Sequence, residues 1–252
     1  MAGFFNFNIM DLNQLTILWI ILGLIVFPIN LIYDAPYGRH TSKNWGIRID
    51  NKLGWILMEL PALLICPLTY FILEDELSLN LFFILLWIAH YFNRTIIFPL
   101  RIKTKGKKIP ILIVCFAFIF NIINGLLNGY YLSFIEFESF SKILIVIGLI
   151  IFFTGFYINI TSDNKLINLR IKSNGYSIPK DGLFNQISCP NFFGEVLEWF
   201  GFAIMTFNLG SLSFFIWTCC NLIPRGIAHH RWYNEHFKDY PTKRKAIIPY
   251  LL

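Results

Sequence analysis

Residues 143–160 have the sequence ILIVIGLIIFFTGFYINI, an unbroken stretch without an acidic or a basic side chain. About 20 apolar residues in a helix cross the hydrocarbon core of a bilayer. The whole chain shares this character, because 56% of its residues are hydrophobic and only 14% are charged, against roughly 25% charged in a soluble domain. Too few polar side chains remain to cover a water-soluble fold. The stretch therefore predicts a membrane-spanning helix that has lipid as its solvent.

Six further stretches on either side of it are also predicted to span the membrane. Their bounds are 15–33, 53–73, 79–100, 109–132, 192–209 and 212–232. No Lys or Arg precedes the first stretch and no small-residue cleavage pattern ends it, so we expect a helix there and not a cleaved signal peptide. The sequence thus predicts an all-α bundle of seven transmembrane helices. The G-x-G-x-x-G motif of a Rossmann domain does not occur in it.

The distribution of basic residues tests this count independently. If the N-terminus lies outside, all but two of the 21 Lys and Arg residues fall on the cytosolic side, the exceptions being Arg94 and Lys142. The outer segments carry acidic residues instead, namely Asp11, Glu74, Asp75, Glu76, Glu136 and Glu138. This positive-inside pattern predicts an odd number of spans and a cytosolic C-terminus. It also accounts for the net charge of +6, so we expect no nucleic-acid partner.

The chain is predicted to form a single domain, because no linker, low-complexity tract or repeat divides it. Its longest polar interval, 161–191, is predicted to be an ordered loop, since it combines turn signals such as Asn174-Gly175 with Ile, Leu and Tyr residues. Transporters often show inverted repeats with helices broken at matching places. No such symmetry is present, which favours an enzyme over a transporter or a scaffold.

Ionisable side chains within apolar stretches need a reason, since each costs at least ~2.5 kcal/mol at the centre of a bilayer. Glu59 either reaches water near the inner interface or points into the bundle. Arg94 lies four residues after His90 and three after Tyr91, so these side chains can share a helical face. A tyrosine beside an arginine and a carboxylate of a neighbouring helix is suited to polarising a carbonyl group.

Two further sets of polar residues recur at helical spacing. Asn121, Asn124 and Asn128 either join helices by hydrogen bonds or line a cavity, and the pattern leaves both open. Glu195 and Glu198 are three residues apart and face the same way. Two like charges within one span need a cation, a proton or an amide donor, and the carboxamide of a nicotinamide is such a donor. The glutamates therefore indicate a binding site.

The end of the last stretch is rich in basic and aromatic side chains. Arg225, His229 and Tyr233 recur every four residues, which suits contacts with phosphate or ribose groups. His230 points about 100° away from His229 on a helix, and few further candidate ligands are evident, so we expect no metal site. Anchoring at the membrane interface would explain the basic and aromatic residues at 231 and 232, but it explains His229 poorly.

These residues lie in blocks that resemble the steroid 5-alpha-reductases, also called 3-oxo-5-alpha-steroid 4-dehydrogenases. The resemblance covers about residues 37–252 and is densest in the C-terminal half. Its blocks there are PKDGLF (179–184), SCPNFFGE (188–195), EWFGF (198–202), RGIAHHRWY (225–233), FKDYP (237–241) and RKAIIP (244–249). The front half adds YGRHT (37–41), ELP (59–61) and HYFNRT (90–95).

The resemblance implies one membrane-embedded domain, residues 1–252, whose cofactor-binding part is mainly 159–252. It implies that NADPH arrives from the cytosol and an apolar enone from the lipid. Glu59 and Tyr91 match the pair that polarises the 3-keto oxygen, while Arg94 and Glu198 lie beside the cofactor-holding positions and are expected to support them. The positions that hold NADPH in the family correspond to Asn159, Asp163, Arg170, Tyr176, Asn191, Glu195, Arg225, His229 and Tyr233.

The implied reaction is NADPH-dependent reduction of the 4,5 double bond of a 3-oxo-delta-4 steroid, by hydride transfer to the β-carbon of the enone. We expect a monomer in a bacterial inner membrane or an endoplasmic reticulum membrane. Two features depart from the family pattern: Met58 replaces a common Gln, and the loop 103–108 is lysine-rich where an arginine is often found. They leave open a reductase of another lipid enone or enoyl substrate. An isoprenylcysteine-methyltransferase-like enzyme that uses S-adenosylmethionine is a further alternative, although the blocks after residue 225 favour the reductase.

Overall fold

The structure is a computed structural model that describes residues 9–34, 38–40, 45–74, 79–135, 141–172 and 176–252. Within these ranges it contains eight α-helices and two short strands. They are α1 Ile9–Ile32, β1 Arg48–Asp50, α2 Asn51–Leu73, α3 Asn80–Phe92, α4 Phe98–Arg101, β2 Lys108–Pro110, α5 Ile111–Ser133, α6 Ser141–Lys172, α7 Pro190–Thr206 and α8 Leu209–His236. The acidic residues expected outside at 75, 76, 136 and 138, the turn at 174–175, and residues 37 and 41 of the YGRHT block lie outside the described residues.

Each of the seven predicted spans coincides with helical structure, and the third is continuous because a π-helical turn, Asn93–Ile97, joins α3 to α4. Five helical segments are long and apolar enough to cross a membrane: Asp11–Ile32, Asn51–Leu73, Asn80–Arg101, Ile111–Ser133 and Lys142–Lys172. The protein is therefore a multi-pass membrane protein, as predicted. α7 has only 17 residues, and the second half of α8 is polar. These two helices are therefore not among those that are long and apolar enough to cross a membrane.

The described residues contain no parallel sheet of the Rossmann type. Their only sheet is a two-stranded antiparallel ribbon in which Arg48 pairs with Pro110 and Asp50 with Lys108. Asp50 also caps α2, because its carboxylate accepts hydrogen bonds from the backbone amides of Lys52 and Leu53. The ribbon thus links the start of α2 to the start of α5.

The prediction of a loop beginning at residue 161 is wrong, because α6 continues without a break to Lys172 and has 32 residues. The polar residues after 160 do not stop the helix, since no Gly or Pro occurs between Gly155 and Gly175. Their apolar neighbours keep the extension packed, and Ile167 is buried. Helical spacing then places Asn159, Asp163 and Arg170 along one side of the same rigid element.

α6 and α7 pack unusually closely because glycines face each other along the contact. A Cβ atom on Gly155 would collide with the backbone nitrogen of Glu198, and one on Gly194 would lie 2.5 Å from the backbone nitrogen of Asn159. Small residues at four- and seven-residue spacings allow the backbones of membrane helices to approach in this way. The close contact brings the polar residues of α6 next to those of α7.

α2 and α5 form a second closely packed pair of helices. Their contact shows, for one asparagine of α5, whether it joins helices or lines a cavity. Asn121 donates a 2.7 Å hydrogen bond to the carbonyl oxygen of Met58, so it joins the two helices. Asn128 instead donates to the main-chain and side-chain oxygens of Asn124 within α5. The side chain of Met58 is buried in an apolar cluster with Ile109 and Val114.

The main hydrophobic core lies between α2, α3, α7 and α8 and is dominated by aromatic rings. Trp87 packs against Tyr91, Trp199 and Phe214 with ring centroids 4.9–5.3 Å apart. Its indole nitrogen donates a 2.8 Å hydrogen bond to the carbonyl oxygen of Ala62 on α2. This core fixes the part of α3 that carries the predicted catalytic tyrosine.

Candidate active site

One pocket among the described residues collects most of the predicted cofactor-binding side chains. It lies between α6, α8, the loop between α4 and β2, and the segment that precedes α7. Seven of the nine predicted residues line it, namely Asp163, Arg170, Tyr176, Asn191, Arg225, His229 and Tyr233. The wall also includes residues that the sequence analysis did not assign, among them His40, Trp55, Lys103, Lys107 and Phe192.

The outer part of the pocket, which we call the basic mouth, consists of Lys107, Arg170 and Tyr176. The ammonium group of Lys107 donates a 2.7 Å hydrogen bond to the hydroxyl of Tyr176. The Lys107 nitrogen and the Arg170 guanidinium carbon each lie 4.4 Å from the centroid of the Tyr176 ring, within the range of cation–π attraction. Neither cation forms a salt bridge with a carboxylate in the described part of the chain. The mouth is therefore suited to an anion.

The inner end of the pocket is bordered by ion pairs that we call the buried network. Arg94 on the π-helical turn lies 3.2 Å from Asp163 on α6 and 3.8 Å from Glu195 on α7. The amide of Asn191 donates to Asp163 at 3.1 Å, and that of Asn159 donates to Glu195 at 3.3 Å. Asn159 and Glu195 do not line the pocket themselves. Asn159 also donates a 3.0 Å hydrogen bond to the carbonyl oxygen of Asn191 on the wall, and Arg94 links Glu195 to Asp163.

Arg94 is held from its other side by aromatic rings. Its guanidinium carbon lies 4.9 Å from the ring centroids of Trp55 and of Phe98. The indole of Trp55 also donates a 3.0 Å hydrogen bond to the carbonyl oxygen of Arg94. π-helical turns commonly occur at functional sites, and this one places an arginine where three helices meet.

His90 and Arg94 both reach α7, which confirms that they share a face of the helix. The Nδ1 atom of His90 lies 2.7 Å from Oε1 of Glu198, which is fully buried. Among the described residues, the second carboxylate oxygen of Glu198 has no hydrogen-bond partner. His90 has no assigned role in the predicted mechanism, and its pairing with Glu198 could not be predicted from spacing along one helix.

The predicted catalytic pair, Glu59 and Tyr91, is close in space but not hydrogen-bonded. Glu59 on α2 is half-buried and lies within electrostatic reach of Tyr91, Arg94 and His90. The Glu59 side chain therefore points into the bundle and not towards water at the inner interface. No hydrogen bond is formed by its carboxylate or by the Tyr91 hydroxyl within the ranges that the structure covers. Neither group lines the pocket, and Tyr91 is buried in the aromatic core.

The wall formed by α8 combines charge with aromatic surface. His229 stacks on Phe192 with centroids 5.6 Å apart, and the Arg225 guanidinium lies 5.2 Å from the same ring. Further along, Tyr233 stacks on Tyr240 at 5.2 Å. Among the described residues, no group of three or more His, Cys, Asp and Glu side chains could hold a metal ion.

Comparison with known proteins places this arrangement in a family. Residues 107–252 match the family model described as 3-oxo-5-alpha-steroid 4-dehydrogenase. The chain is 41% identical over 230 residues to steroid 5-alpha-reductase DET2 of Arabidopsis thaliana, covering 86% of this chain and 88% of that protein. It is 37% identical to 3-oxo-5-alpha-steroid 4-dehydrogenase 1 of Rattus norvegicus, with 86% of each covered, and 35% identical to the Homo sapiens protein of the same name, with 91% of each covered.

The chain belongs to the steroid 5-alpha-reductase family. The resemblance noted in the sequence is confirmed, and the protein is an oxidoreductase that acts on CH–CH groups. Steroid 5-alpha-reductases use a nicotinamide cofactor, and the chemistry of the pocket suits such a ligand. Lys107, Arg170 and Arg225 place positive charge on its wall. All nine predicted cofactor residues lie within the matched range 107–252.

Proposed function

We propose that this protein catalyses NADPH-dependent reduction of the 4,5 double bond of a 3-oxo-delta-4 steroid. The observation that carries the proposal is the pocket with its basic mouth, whose wall includes Asp163, the partner of Arg94 in the buried network. Tyr91 lies three residues before Arg94, in the aromatic core and off the pocket wall. A polar, anionic cofactor and an apolar carbonyl compound can therefore meet at this end of α3.

The basic mouth favours NADPH over NADH. Lys107 and Arg170 are two cations that approach the same ring, and like charges this close repel each other when no anion is present. The 2′-phosphate of NADPH supplies up to two negative charges and several acceptor oxygens, whereas NADH has only a hydroxyl at this place. Lys107 would meet the phosphate as a point charge and Arg170 through a pair of hydrogen bonds.

In the proposed mechanism, Tyr91 donates a hydrogen bond to the 3-keto oxygen of the substrate. Charge that develops on this oxygen during the reaction is stabilised by the donor. Glu59, which lies near Tyr91 without a hydrogen bond to it in this structure, would orient the hydroxyl once a substrate is bound. NADPH, when bound, would supply the hydride for the β-carbon, and a proton from solvent would add at the α-carbon to complete the reduction. Glu195, held by Arg94 and Asn159, would accept a hydrogen bond from the carboxamide of the cofactor.

We further propose that α7 and α8 complete a bundle of seven spans, with the N-terminus outside and the C-terminus in the cytosol. The positive-inside distribution of Lys and Arg supports this orientation. α7 packs along the whole face of α6, and α8 packs against α1, so both helices run beside segments that are apolar enough to span the bilayer. The basic mouth then faces the cytosol, and the apolar substrate arrives from the lipid.

The second candidate function is reduction of another lipid enone, and the surroundings of Met58 support it. Met58 is packed among Ile109 and Val114 and offers no hydrogen-bonding side chain beside Glu59. A substrate that relies on a single carbonyl group would suit such a site as well as a steroid does. The two candidates share the cofactor and the mechanism and differ only in the hydrocarbon that is bound.

The first test is NADPH consumption by the detergent-purified protein with testosterone or progesterone, with products identified by mass spectrometry. A 5-alpha-reduced steroid supports the main proposal. NADPH binding without steroid reduction favours the second candidate, whereas absence of NADPH binding contradicts both.

Replacing Tyr91 by Phe tests the mechanism, because it removes the donor hydroxyl and keeps the ring in the aromatic core. We expect kcat to fall about 100-fold or more, with NADPH affinity nearly unchanged. Tyr130, a partly buried tyrosine on α5 that packs against Phe134, provides the matched control, and Tyr130→Phe should leave kcat unchanged. Equal turnover of Y91F and wild type would remove Tyr91 from the mechanism.

A further inference from the structure

Two histidines from distant parts of the chain meet at the wall of the pocket. The Nε2 atom of His40 lies 3.1 Å from Nδ1 of His229, and the two ring planes are within 7° of each other. A ring N–H lies in the plane of its own ring. Two nearly parallel rings joined nitrogen to nitrogen therefore form an in-plane hydrogen bond and not a face-to-face stack. Both rings line the pocket, so the proton between them lies at the ligand site.

A carboxylate lies behind this pair. Oδ2 of Asp34, just after α1, is 3.5 Å from Nδ1 of His40. Oδ1 of the same carboxylate accepts a 2.7 Å hydrogen bond from Arg231 on α8, which fixes its position. A carboxylate at one ring nitrogen determines which nitrogen of the imidazole carries the proton and stabilises the protonated ring. Asp34, His40 and His229 thus form a chain from a partly exposed carboxylate to the pocket wall.

The Lys and Arg side chains around this chain keep their charge near neutral pH, because they ordinarily stay protonated well above pH 8. On α8 they are Arg225 and Arg231, and elsewhere on the pocket wall they are Lys103, Lys107 and Arg170. The wall also carries the Asp163 carboxylate, which is paired with Arg94, and His230 is hydrogen-bonded to Ser188 of the wall. Imidazoles titrate near pH ~6.5, and Asp163 and His230 are the same in every variant of His40 or Asp34. A change of charge between pH 6 and pH 8 that depends on His40 and Asp34 is therefore assigned to the histidine pair.

We propose that His40 and Asp34 are positioning residues of the cofactor site, which hold His229 towards the bound anion and share with it one titrating proton. This inference rests on the proposed function, because it takes NADPH as the anion. Adding one proton to the histidine pair makes it cationic beside the cofactor phosphates. Proton binding and cofactor binding then reinforce each other by linkage. The extra affinity is present at pH 6 and is lost as the pH rises through the imidazole range.

The test measures NADPH affinity of the full-length protein in lipid nanodiscs, from the fluorescence of the bound cofactor, at pH 6 and pH 8. For the wild type we expect a dissociation constant that is on the order of 5-fold lower at pH 6. His40→Asn keeps a polar side chain that does not titrate. We expect this variant to bind NADPH more weakly than the wild type, and its dissociation constant to change less between pH 8 and pH 6 than that of the wild type. A purely structural role of His40 would weaken binding equally at both values.

Two further variants keep the test interpretable. Asp34→Asn removes the carboxylate and should reduce the tightening at pH 6, and it carries the same test if H40N does not fold. His236→Asn is the matched control, because His236 is exposed at the end of α8 and bonds only to the carbonyl of Trp232 in the described part of the chain. The 2′-phosphate also titrates near pH ~6, but it does so equally for every variant. Only differences between variants are therefore compared.

The inference is overturned if H40N and D34N retain the pH dependence of the wild type, whatever the size of that dependence. If the wild type binds no NADPH at either pH, the proposed function fails, and the inference fails with it. Loss of the tightening in H40N and D34N, but not in H236N, supports the inference.

Discussion

The buried network and the basic mouth both contain positively charged side chains, but these differ in burial and in whether carboxylates pair with them. Arg94 of the network is only 9% exposed and faces two carboxylates. Lys107 and Arg170 of the mouth are partly exposed and lean on Tyr176 without a carboxylate partner among the described residues. Removing one member of a buried ion pair leaves an uncompensated charge, whereas an exposed cation contributes little to folding. We therefore expect the network to govern stability and the mouth to govern ligand affinity.

The largest effect is expected from Arg94→Met, which abolishes the charge that holds the network together. Asp163 and Glu195 would remain buried without a cation, so the free energy of unfolding should fall by ~3–5 kcal/mol. Thermal unfolding in detergent measures this loss. Lys142→Met, at an exposed position near the start of α6, removes one positive charge without touching the network and serves as control. Similar unfolding of R94M and K142M would show that the ion pairs do not stabilise the fold.

An intermediate effect is expected from Lys107→Met, which changes the mouth alone. The dissociation constant of NADPH should rise about 10-fold, because one charge-assisted hydrogen bond to a phosphate is lost, while thermal unfolding stays as in the wild type. The affinity loss should shrink in high salt, since partly exposed charges are screened. Lys108→Met, on the neighbouring strand and off the pocket wall, is the control. A loss of stability in K107M without a loss of affinity would reverse the roles assigned to the two regions.

The smallest effect is expected from Tyr176→Phe, which deletes one hydroxyl from the mouth and keeps the ring beneath both cations. The cation–π contacts survive and only the hydrogen bond from Lys107 is lost, so NADPH affinity should fall by roughly 2- to 10-fold. Titration of the purified variant with NADPH measures the change. A loss of 100-fold or more would mean that the hydroxyl itself contacts the cofactor and does more than hold Lys107 in place.

Much of this arrangement could be predicted from the sequence, because apolar length and helical spacing are local properties. The run at 143–160 predicted a helix that is present, and the four-residue spacing of Arg225, His229 and Tyr233 placed all three on one side of α8. The end of α6 could not be predicted in the same way. A polar composition after residue 160 resembles that of a loop, but the absence of Gly and Pro allows the helix to continue.

Contacts between residues that are far apart in the chain could not be predicted from local sequence patterns. His90 meets Glu198 across 108 positions, and His40 meets His229 across 189. Spacing along one helix cannot indicate which residue of another helix lies opposite. The YGRHT block drew attention to the region of His40, but the partner and the bond became visible only in three dimensions. The same holds for Lys107, whose contact with Tyr176 joins two segments that are separate in the chain.

The uninterrupted course of α6 has a consequence for how two immiscible reactants share one site. Its 32 residues give a length of about 48 Å, whereas the hydrocarbon core of a bilayer is roughly 30 Å thick. Asn159 and Arg170, eleven positions apart on this helix, are separated by about 16 Å along its axis. Under the proposed function, a cofactor laid along this segment would keep one end in the aqueous phase and place the other below the membrane surface. An apolar substrate would then enter and leave from the lipid without crossing into water.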